Sequence, residues 1–512
     1  MYITLLLCSP AFCPMLPCND RQSFLLIPQF HPFRKEKLVK PILPCPVVFL
    51  LLAFLSISPS AAQQPKLVAA PDIVPPATAE MQNPDYWIRL IGPGAEKVIM
   101  TQEQISALNR KNRTRALETT DINGKPYSFA NIMRNREFEG LQFYSQDPLS
   151  LRPFPGDSLK IGLKRIRDYV TAGKFWDRRG LPYSDDMKRE IIARMSEESV
   201  PATVEPRTGI LVEHTLNRAA PIATPAHNAQ FGWLDMFAIG SFETGAPVAV
   251  LHTSADGAWH YIRAEYMYGW VPAVSVAFAP PRNIRRLAES DRFIVVLPHK
   301  LSVFGDRERR TILAEVYQGT RLVIASRTAD SCRVLVPFRK PDGSLLAAEG
   351  WVAPDADVSV GYQPFTQANV IRTMFRLLNR PYGWHDSYHE RDCCGAIRTV
   401  LKTFGIITPR GTTHELHSSD HVICFTKETP REVKYRQLDT CEPAITMCGF
   451  TGHIVMYLGK VDGSYFVIHS NGYSYHDADG TEVKIARVGV CDTEIEGGSN
   501  IGEWTELATF KP

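Results

Sequence analysis

Residues 379–404 read NRPYGWHDSYHERDCCGAIRTVLKTF, an aromatic and turn-rich loop that passes directly into a helical pattern. After the loop, apolar side chains recur at the spacing of an α-helix, at Ile397, Val400, Leu401 and Phe404. The pattern predicts that Cys393 lies in the first turn of this helix. Unpaired backbone N–H groups and the positive end of the helix dipole stabilise a thiolate at such a position. The stretch therefore indicates a cysteine that acts as a nucleophile.

A second pattern, nearer the C-terminus, predicts a β-hairpin that carries two histidines. Runs rich in β-branched and aromatic residues flank an Asp-Gly turn at residues 462–463. His453 stands at the start of the first run and His469 near the end of the second, so antiparallel pairing brings both to the same end. Nucleophilic acyl transfer needs a cysteine, a histidine that moves its proton and a third polar group that orients the ring. Cys393, His453 and His469 fill these roles in chain order.

The composition is that of a multidomain globular protein. A chain of 512 residues is too long for one hydrophobic core and predicts about three or four domains. Its apolar content of 44% and charged content of 22% are ordinary for soluble proteins. The formal charge of +3 gives no reason to expect a nucleic acid partner or an acidic membrane. No two cysteines form a CxxC pair, so the sequence predicts neither a metal site nor a cofactor.

Residues 1–62 are interpreted as a leader that is removed. Basic residues within 34–40 precede an apolar run at 47–57, and small residues follow at 58–62. This pattern predicts an exported protein of the periplasm or cell envelope, with no stable membrane insertion after cleavage. The alternative is an uncleaved membrane anchor, but the apolar run is shorter than the ~20 residues that span a bilayer comfortably.

The cysteine count is compatible with export and with a free thiol. Eleven cysteines are present, and seven remain when those of the leader are removed: Cys8, Cys13, Cys18 and Cys45. An exported protein with an odd number of cysteines keeps at least one unpaired within the chain or pairs it with another chain. Four later cysteines are interpreted either as buried free thiols or as partners in disulfide bridges: Cys424, Cys441, Cys448 and Cys491.

The part of the chain before residue 206 predicts a spacer followed by a helical domain. Residues 63–84 are rich in Pro and Ala, which is typical of a flexible linker. Residues 85–205 are interpreted as a mainly helical scaffold domain without a catalytic cluster. Its predicted helices cover residues 101–118, 158–172 and 185–199. Thr101 is expected to cap the first of these helices, and Ser184 or Asp185 the last.

Residues 206–285 and 286–362 are each predicted to form a small all-β barrel. In both segments, short strands rich in β-branched and aromatic residues alternate with turn signals. Each segment contains a Gly-Trp-Val run, at 269–271 and at 350–352, which indicates a tandem duplication. The order of these features resembles that of bacterial SH3-like barrels. Four aromatic residues of the first segment are interpreted as core rather than as ligand contacts: Trp259, Tyr261, Tyr266 and Tyr268.

Four short motifs stand in order in the C-terminal part of the chain: Tyr382-x-Trp384, Asp392-Cys393-x-Gly395, Gly452-His453-Ile454 and Ile468-His469-Ser470. Together they resemble the NlpC-type cell-wall cysteine peptidases over residues 364–512. The resemblance implies a papain-like α+β domain at residues 363–512. It also implies Cys393 as the nucleophile, His453 as the base and His469 as the residue that orients the base. The Tyr382 hydroxyl is then expected to help hold the oxyanion beside the Cys393 backbone N–H.

The whole layout resembles multidomain members of that family, which cleave murein peptides between γ-D-glutamate and a diamino acid. The resemblance implies substrate-binding roles for Asp392, Cys394 and Trp384. Asp392 matches a position that contacts the free amine of the substrate, and a helix N-cap is the alternative role for its carboxylate. Cys394 stands where the family commonly has serine, and it either offers a second reactive thiol or fills space.

These inferences predict an exported endopeptidase that acts on murein peptides or peptidoglycan and hydrolyses the γ-D-glutamyl–diaminopimelate bond. Two alternatives stay open: a wall-binding protein with impaired catalysis, and an amidase or acyltransferase on the same fold. Departures from the family motifs favour the first alternative, among them His385 in place of a second glycine after the tryptophan.

Overall fold

The computed structural model describes residues 68–114, 118–120, 126–128 and 147–512, apart from residues 230, 231, 265, 427, 451 and 478. The predicted leader at residues 1–62 lies outside the described residues. Within the described part, every helix is too short or too polar to cross a lipid bilayer.

The N-terminal part begins with a short strand and two helices. Its elements are β1 (Val68–Ala69), α1 (Pro84–Ile91), α2 (Gln102–Thr114), β2 (Glu118–Thr120) and β3 (Pro126–Ser128). The predicted cap of α2 is confirmed, because the Thr101 hydroxyl accepts a hydrogen bond from the Gln104 N–H at 3.3 Å. The helix ends at Thr114, so the prediction that it reaches residue 118 is wrong at that end.

The described residues of the predicted linker are not a spacer. β1 pairs in parallel with residues 483–484 near the C-terminus, and the side chains of Val74 and Met81 are buried. A segment rich in Pro and Ala therefore follows the surface of the C-terminal domain and contributes to its core. Composition predicted flexibility here because it records small side chains and not the apolar residues placed among them.

A second group of elements follows: β4 (Phe154–Pro155), α3 (Gly156–Ala172), α4 (Asp185–Met195) and β5 (Thr203–Val204). The predicted Ser184 cap is confirmed, because its hydroxyl accepts a hydrogen bond from the Met187 N–H at 3.2 Å. α4 stops at Met195, and a separate 3-10 turn covers Glu197–Ser199, so the predicted single helix is two elements.

Residues 85–205 do not form one helical domain. Trp87 of α1 packs in the C-terminal core, where its ring lies 5.7 Å from the ring of Phe466. Leu163 of α3 instead belongs to a separate core with Phe237 and Trp270. The two helix pairs thus cover two different domains. Periodicity gives the apolar face of a helix, but it does not specify which distant element covers that face.

The next segment forms a seven-stranded antiparallel sheet. Its strands are β6 (Arg207–Leu211), β7 (Thr215–Arg218), β8 (Ala238–Phe242), β9 (Pro247–Thr253), β10 (Trp259–Arg263), β11 (Tyr268–Pro272) and β12 (Val276–Phe278). Their order across the sheet is β12-β6-β9-β10-β11-β7-β8. The predicted Asp-Gly turn joins β9 to β10, with Gly257 at φ +69°. Trp259, Tyr261 and Tyr266 are buried, in accord with their interpretation as core residues, whereas Tyr268 is half-buried.

After α5 (Pro281–Ala288), a second seven-stranded sheet follows. Its strands are β13 (Phe293–Val296), β14 (Lys300–Phe304), β15 (Ile312–Tyr317), β16 (Arg321–Arg327), β17 (Cys332–Arg339), β18 (Leu345–Val352) and β19 (Val358–Val360). Their order is β15-β14-β18-β17-β16-β13-β19. When the strands of each sheet are numbered from the first strand of that sheet, the two sheets have the same strand order, read from opposite edges. The repeated topology is the one that the repeated Gly-Trp-Val motif predicts.

The C-terminal domain packs helices against one antiparallel sheet. Its helices are α6 (Gln367–Phe375), α7 (Cys393–Lys402), α8 (Thr412–Leu416) and α9 (Arg431–Leu438). Its strands are β20 (His421–Cys424), β21 (Thr446–Phe450), β22 (His453–Val461), β23 (Ser464–Asn471), β24 (Ser474–His476), β25 (Glu482–Lys484), β26 (Arg487–Asp492) and β27 (Glu506–Thr509). The main sheet has the order β20-β27-β21-β22-β23-β26, and α7 packs against β22 and β23.

Within the described part of the chain, no disulfide bond joins any of the cysteines: Cys332, Cys393, Cys394, Cys424, Cys441, Cys448 and Cys491. Of the two interpretations of the four later cysteines, the structure therefore favours thiols over bridges.

Candidate active site

Cys393 is the first residue of α7, as the sequence predicts. Asp392 caps the helix, because its Oδ1 accepts a hydrogen bond from the Gly395 N–H at 2.8 Å. Only 4% of the Cys393 surface is exposed, and the helix continues into the domain core. The sulfur is therefore fixed by a well-capped helix and not by a mobile loop.

His453 and His469 come together on the predicted hairpin. β22 and β23 pair in antiparallel register, and the His453 Nε2 lies 2.7 Å from the His469 Nδ1. Both rings are buried, and their planes meet at 75°. Burial lowers the pKa of His453 to about 4, so its imidazole is neutral at neutral pH. The pairing uses the Nε2 of His453, so its Nδ1 is the ring nitrogen that is not bonded to His469.

A hydrogen bond joins the hairpin to the loop before the cysteine. The Ser470 hydroxyl donates to the Arg391 carbonyl oxygen at 2.7 Å. Ser470 follows His469 directly, and Arg391 stands two residues before Cys393. Together with the packing of α7 on β22 and β23, this bond places the histidine pair at the start of the helix that carries the cysteine.

Tyr382 lies next to Cys393. Burial raises the pKa of the Tyr382 phenol well above its ordinary value, and the nearby charges of Cys393 and Asp392 raise it further. The Tyr473 ring lies 5.1 Å from the His453 ring and also acts on Tyr382. Cys393 and Asp392 thus lie within electrostatic range of a neutral phenol, whose hydroxyl is a hydrogen-bond donor of the kind that stabilises an oxyanion.

The carboxylate of Asp392 is fully engaged within the protein. Its Oδ1 accepts from Gly395 N–H and, at 2.8 Å, from Arg410 Nη1. Its Oδ2 accepts from the His385 N–H at 3.1 Å and from Arg410 Nη2. Burial alone would raise the pKa of Asp392, but the Arg410 guanidinium holds it below its ordinary value.

These contacts favour the second of the two roles predicted for Asp392, the helix N-cap, over contact with a substrate amine. Each carboxylate oxygen already accepts two hydrogen bonds, which uses its lone pairs. The structure supports the alternative, a helix N-cap, and adds an ion pair that sequence reasoning missed. Arg410 stands in a Thr-Pro-Arg turn, 18 positions after Asp392, and no local pattern links the two residues.

Cys394 and Trp384 both have contacts within the protein. The Cys394 thiol is buried and lies 3.3 Å from the Thr412 hydroxyl, which favours the interpretation that it fills space. The Trp384 Nε1 donates to the Asp235 carbonyl oxygen of the first barrel at 3.0 Å. The substrate-binding role of Trp384 stays a prediction. A sequence motif indicates that the residue type at a position matters, but it does not specify which group the side chain contacts.

The loop at 385–389 has an unusual backbone. Four of its residues have positive φ angles: His385, Asp386, Tyr388 and His389. Such angles are uncommon outside glycine and cost free energy, so the surroundings must hold the loop. The Ser241 hydroxyl of the first barrel donates to Asp386 Oδ2 at 3.0 Å, and Arg410 Nη2 lies 3.9 Å from Asp386 Oδ1. The first barrel thus helps to shape the loop that leads to Cys393.

The first barrel also holds the far end of α7. Glu243, at the end of β8, forms buried ion pairs with Lys402 and, at 3.5 Å, with Arg398. Burial alone would raise the pKa of Glu243, but these two cations hold it far below its ordinary value. Sequence reasoning missed this contact because it joins residues about 160 positions apart.

Both barrels meet the loop at a cluster of rings. The His214 Nδ1 of the first barrel lies 2.9 Å from the His389 Nδ1, and the His389 ring stacks on Tyr317 of the second sheet at 4.8 Å. His299 of the second sheet lies 3.2 Å from a carboxylate oxygen of Glu390. We call His214, His299, Tyr317 and His389 the junction cluster. Three sequence-distant segments meet in it.

Comparison with known proteins supports the architecture. A family model described as an SH3 domain of the SH3b1 type matches residues 224–272, within the first seven-stranded sheet. No curated protein matches the chain. Among solved structures, the chain is similar to an NlpC/P60 endopeptidase from Photobacterium damselae subsp. piscicida, with 16% identity and a TM-score of 0.65. That likeness covers 87% of this chain and 100% of the other.

Two further structures are similar over a smaller part. An NlpC/P60 family protein from Bacillus cereus ATCC 10987 is 20% identical, covers 60% of this chain and 100% of its own, and has a TM-score of 0.41. NlpC2 from Trichomonas vaginalis is 12% identical, covers 60% of this chain and 98% of its own, and has a TM-score of 0.24. The first likeness shows that the chain has the fold of that NlpC/P60 endopeptidase. The resemblance drawn from the motifs is thus confirmed at the level of the fold.

Proposed function

We propose that the chain is an exported cysteine peptidase that hydrolyses murein stem peptides. The observation that supports this most directly is a convergence of three elements. Cys393 begins α7, and the His453–His469 pair stands on the two strands against which α7 packs. The NlpC/P60 fold and the SH3-type domain support the same proposal from the side of architecture.

In the proposed reaction, the Cys393 sulfur attacks the scissile carbonyl carbon, and His453 receives the thiol proton on Nδ1. The oxyanion accepts hydrogen bonds from the Cys393 backbone N–H and the Tyr382 hydroxyl. Collapse of the tetrahedral intermediate breaks the C–N bond, and His453 returns the proton to the departing amine. Water, deprotonated by His453, then hydrolyses the thioester and restores the thiol. His469 orients the His453 ring throughout.

The substrate is proposed from the architecture and the motifs together. We infer cleavage of the γ-D-glutamyl–diaminopimelate bond, with the first barrel bounding the substrate at one end. Trp233 of the first barrel supports this placement, since its exposed ring lies 6.4 Å from the Tyr382 ring. Because Asp392 is engaged by Arg410, recognition of a free amine on the substrate falls to other groups.

Digestion of purified muropeptides tests the proposal. The full chain is incubated with diaminopimelate-containing stem peptides, and the products are separated by mass spectrometry. We expect new amine and carboxylate ends at the γ-D-glutamyl bond, and a loss of about 1,000-fold or more in turnover for Cys393→Ala. Cys332→Ser, in the second sheet, serves as the control and should keep wild-type turnover. Equal turnover by Cys393→Ala and wild type would overturn the assignment of the nucleophile.

A further inference from the structure

Asn471 ends β23, two residues after His469, and is fully buried. Its side-chain amide is the only group other than the His453 ring that hydrogen-bonds the His469 ring among the contacts of the described residues. The proposed reaction assigns Asn471 no role. Its place at the end of the histidine pair raises the question of what an amide does there.

Three contacts fix which way the amide faces. The Asn471 Oδ1 accepts a hydrogen bond from the Tyr473 backbone N–H at 2.7 Å, and a backbone N–H is always a donor. The oxygen therefore points to Tyr473, and the nitrogen points to His469, with Nδ2 lying 3.4 Å from His469 Nε2. The same amide hydrogen-bonds the buried thiol of Cys491. An amide turned the other way would set its nitrogen against the Tyr473 N–H.

The orientation of the amide determines where the histidine protons lie. An amide N–H that faces His469 Nε2 requires that nitrogen to be an unprotonated acceptor. The proton of neutral His469 is then on Nδ1, which donates to His453 Nε2 across 2.7 Å. Neutral His453 in turn carries its proton on Nδ1. That is the nitrogen that the proposed reaction needs free to receive the thiol proton.

We propose that Asn471 is a positioning residue that holds the histidine pair in a resting tautomer, in which His453 cannot accept the proton of Cys393. This inference rests on the proposed function and extends it. Formation of the His453 imidazolium by the thiol proton requires both rings to change tautomer. The protons of His453 and His469 each move from Nδ1 to Nε2, so that His469 Nδ1 accepts from His453 Nε2–H and His453 Nδ1 is free to take the thiol proton. The amide of Asn471 must then turn over and leave the Tyr473 N–H without its acceptor.

The surrounding charges do not replace this control. Asp392 at the start of α7 and Glu503 in the 3-10 helix Ile501–Glu503 raise the pKa of His453, while burial, the largest influence, lowers it. The pKa of His469 is lowered by burial and by His453. Neither carboxylate is a hydrogen-bond partner of the His469 ring among the contacts of the described residues, whereas the Asn471 amide contacts its Nε2 directly.

Asn471→Asp is the matched variant. The carboxylate has the same shape, still accepts from the Tyr473 N–H and, unlike the amide, accepts a proton from His469 Nε2. It therefore favours the tautomer that supports a His453 imidazolium and a Cys393 thiolate. The rate of Cys393 alkylation by iodoacetamide is measured against pH in the full chain, with Cys393→Ala used to subtract labelling of other cysteines. We expect the pH midpoint of alkylation to move to lower pH by about one unit or more.

Two outcomes overturn the proposal in this experiment: an unchanged midpoint in a folded Asn471→Asp protein, or a midpoint that moves to higher pH. A purely structural role for Asn471 predicts changed stability without a shifted midpoint. Circular dichroism establishes that the variant is folded. Because alkylation needs no peptide substrate, failure of the proposed function leaves this result interpretable.

A measurement on the wild-type chain avoids the question of folding. In protein labelled with ¹⁵N-histidine, the two ring-nitrogen shifts of each neutral histidine report which nitrogen carries the proton. The His469 signals are assigned from their loss in His469→Gln. We expect the proton of His469 on Nδ1 at neutral pH. A proton on Nε2 would show that the amide does not set the tautomer, and the proposal would be abandoned.

Discussion

At the scale of single residues, Gly395 shows how closely the Cys393 helix is fitted to its surroundings. A Cβ atom at this position would lie 1.8 Å from the Asp386 Oδ1. Asp386 is held by Ser241, so its carboxylate is not free to move aside. The glycine of the Asp-Cys-x-Gly motif is therefore required by contact with the loop and not by its own backbone angles.

The first prediction concerns Gly395→Ala. Alanine favours a helix over glycine by about 1 kcal/mol, whereas overpacking a buried site costs about 1–3 kcal/mol and sometimes more. Because the opposing oxygen is fixed, we expect the steric cost to exceed the helix gain and the free energy of unfolding to fall by a net amount of up to roughly 2 kcal/mol. Urea unfolding measures it. Gly489→Ala is the control, since no atom lies within 4 Å of the added Cβ; equal loss in both variants would contradict the argument.

The second prediction concerns Asp392→Ala. Removal of this carboxylate leaves the buried Arg410 guanidinium without its main partner, and breaking a buried pair costs about 3–5 kcal/mol. We expect the unfolding free energy to fall by that amount, as measured by urea unfolding followed by circular dichroism. Arg189→Ala removes an exposed pair with Asp186 and should change stability by no more than about 0.5 kcal/mol. A stable Asp392→Ala protein with altered substrate preference would instead favour the amine-binding role.

The residues of the site differ in how far the sequence predicts them. Cys393 and its N-cap follow from a local helical pattern, because helix starts have their own residue preferences. His453 and His469 follow from the alternation of a hairpin, because strand pairing is regular. Arg410 and Asn471 could not be predicted in the same way. Their roles depend on partners brought near by folding, and the sequence contains no periodic signal for such contacts.

At the scale of elements, the sequence predicts caps and turns correctly, but it does not predict which distant elements pack together. The Ser184 cap and the Asp-Gly turns were predicted correctly, since short-range hydrogen bonds and φ preferences determine them. The prediction that residues 85–205 form one helical domain does not fit the two separate cores in which α1 and α3 pack. A helix with one apolar face is compatible with any core that fits it, so the choice between the two cores appears only in the folded chain.

The third prediction tests this division of the helices. Trp87→Ala in α1 and Leu163→Ala in α3 each remove a fully buried side chain, and each should cost about 3–5 kcal/mol. Because the helices belong to different cores, each substitution should destabilise only the core in which its own helix packs. We expect faster amide hydrogen exchange in β22 and β23 for Trp87→Ala, and in β10 and β11 for Leu163→Ala. Parallel loss of protection in both regions by both variants would favour a single helical domain.

At the scale of the whole molecule, the junction cluster ties both barrels to the loop before Cys393. Burial, the Arg391 guanidinium and His389 lower the pKa of His214 well below its ordinary value, while Glu243 acts in the opposite direction. The folded chain thus keeps His214 neutral where the unfolded chain protonates it. Stability from this group is present above about pH 6.5 and is lost as the pH falls below that value.

The fourth prediction is a change in pH dependence. In wild type, each histidine buried in the neutral form lowers the unfolding free energy by up to about 1.4 kcal/mol per pH unit below pH 6. We expect His214→Gln to reduce this slope between pH 6 and pH 5 by up to about 1.4 kcal/mol per pH unit, which is the contribution of one proton. Urea unfolding at pH 5, 6 and 7 measures it. His476→Gln, at an exposed position, is the control, and the same slope in wild type and His214→Gln would count against the junction cluster as a titrating contact.

The contact of Glu243 with Arg398 and Lys402 makes the C-terminal domain less independent than its motifs suggest. Without the first barrel, two cations on α7 would lose the carboxylate that neutralises them. The unit that could be transplanted into another protein is therefore larger than the segment that carries the motifs. In evolution, we expect the C-terminal domain and the first barrel to be inherited and recombined together.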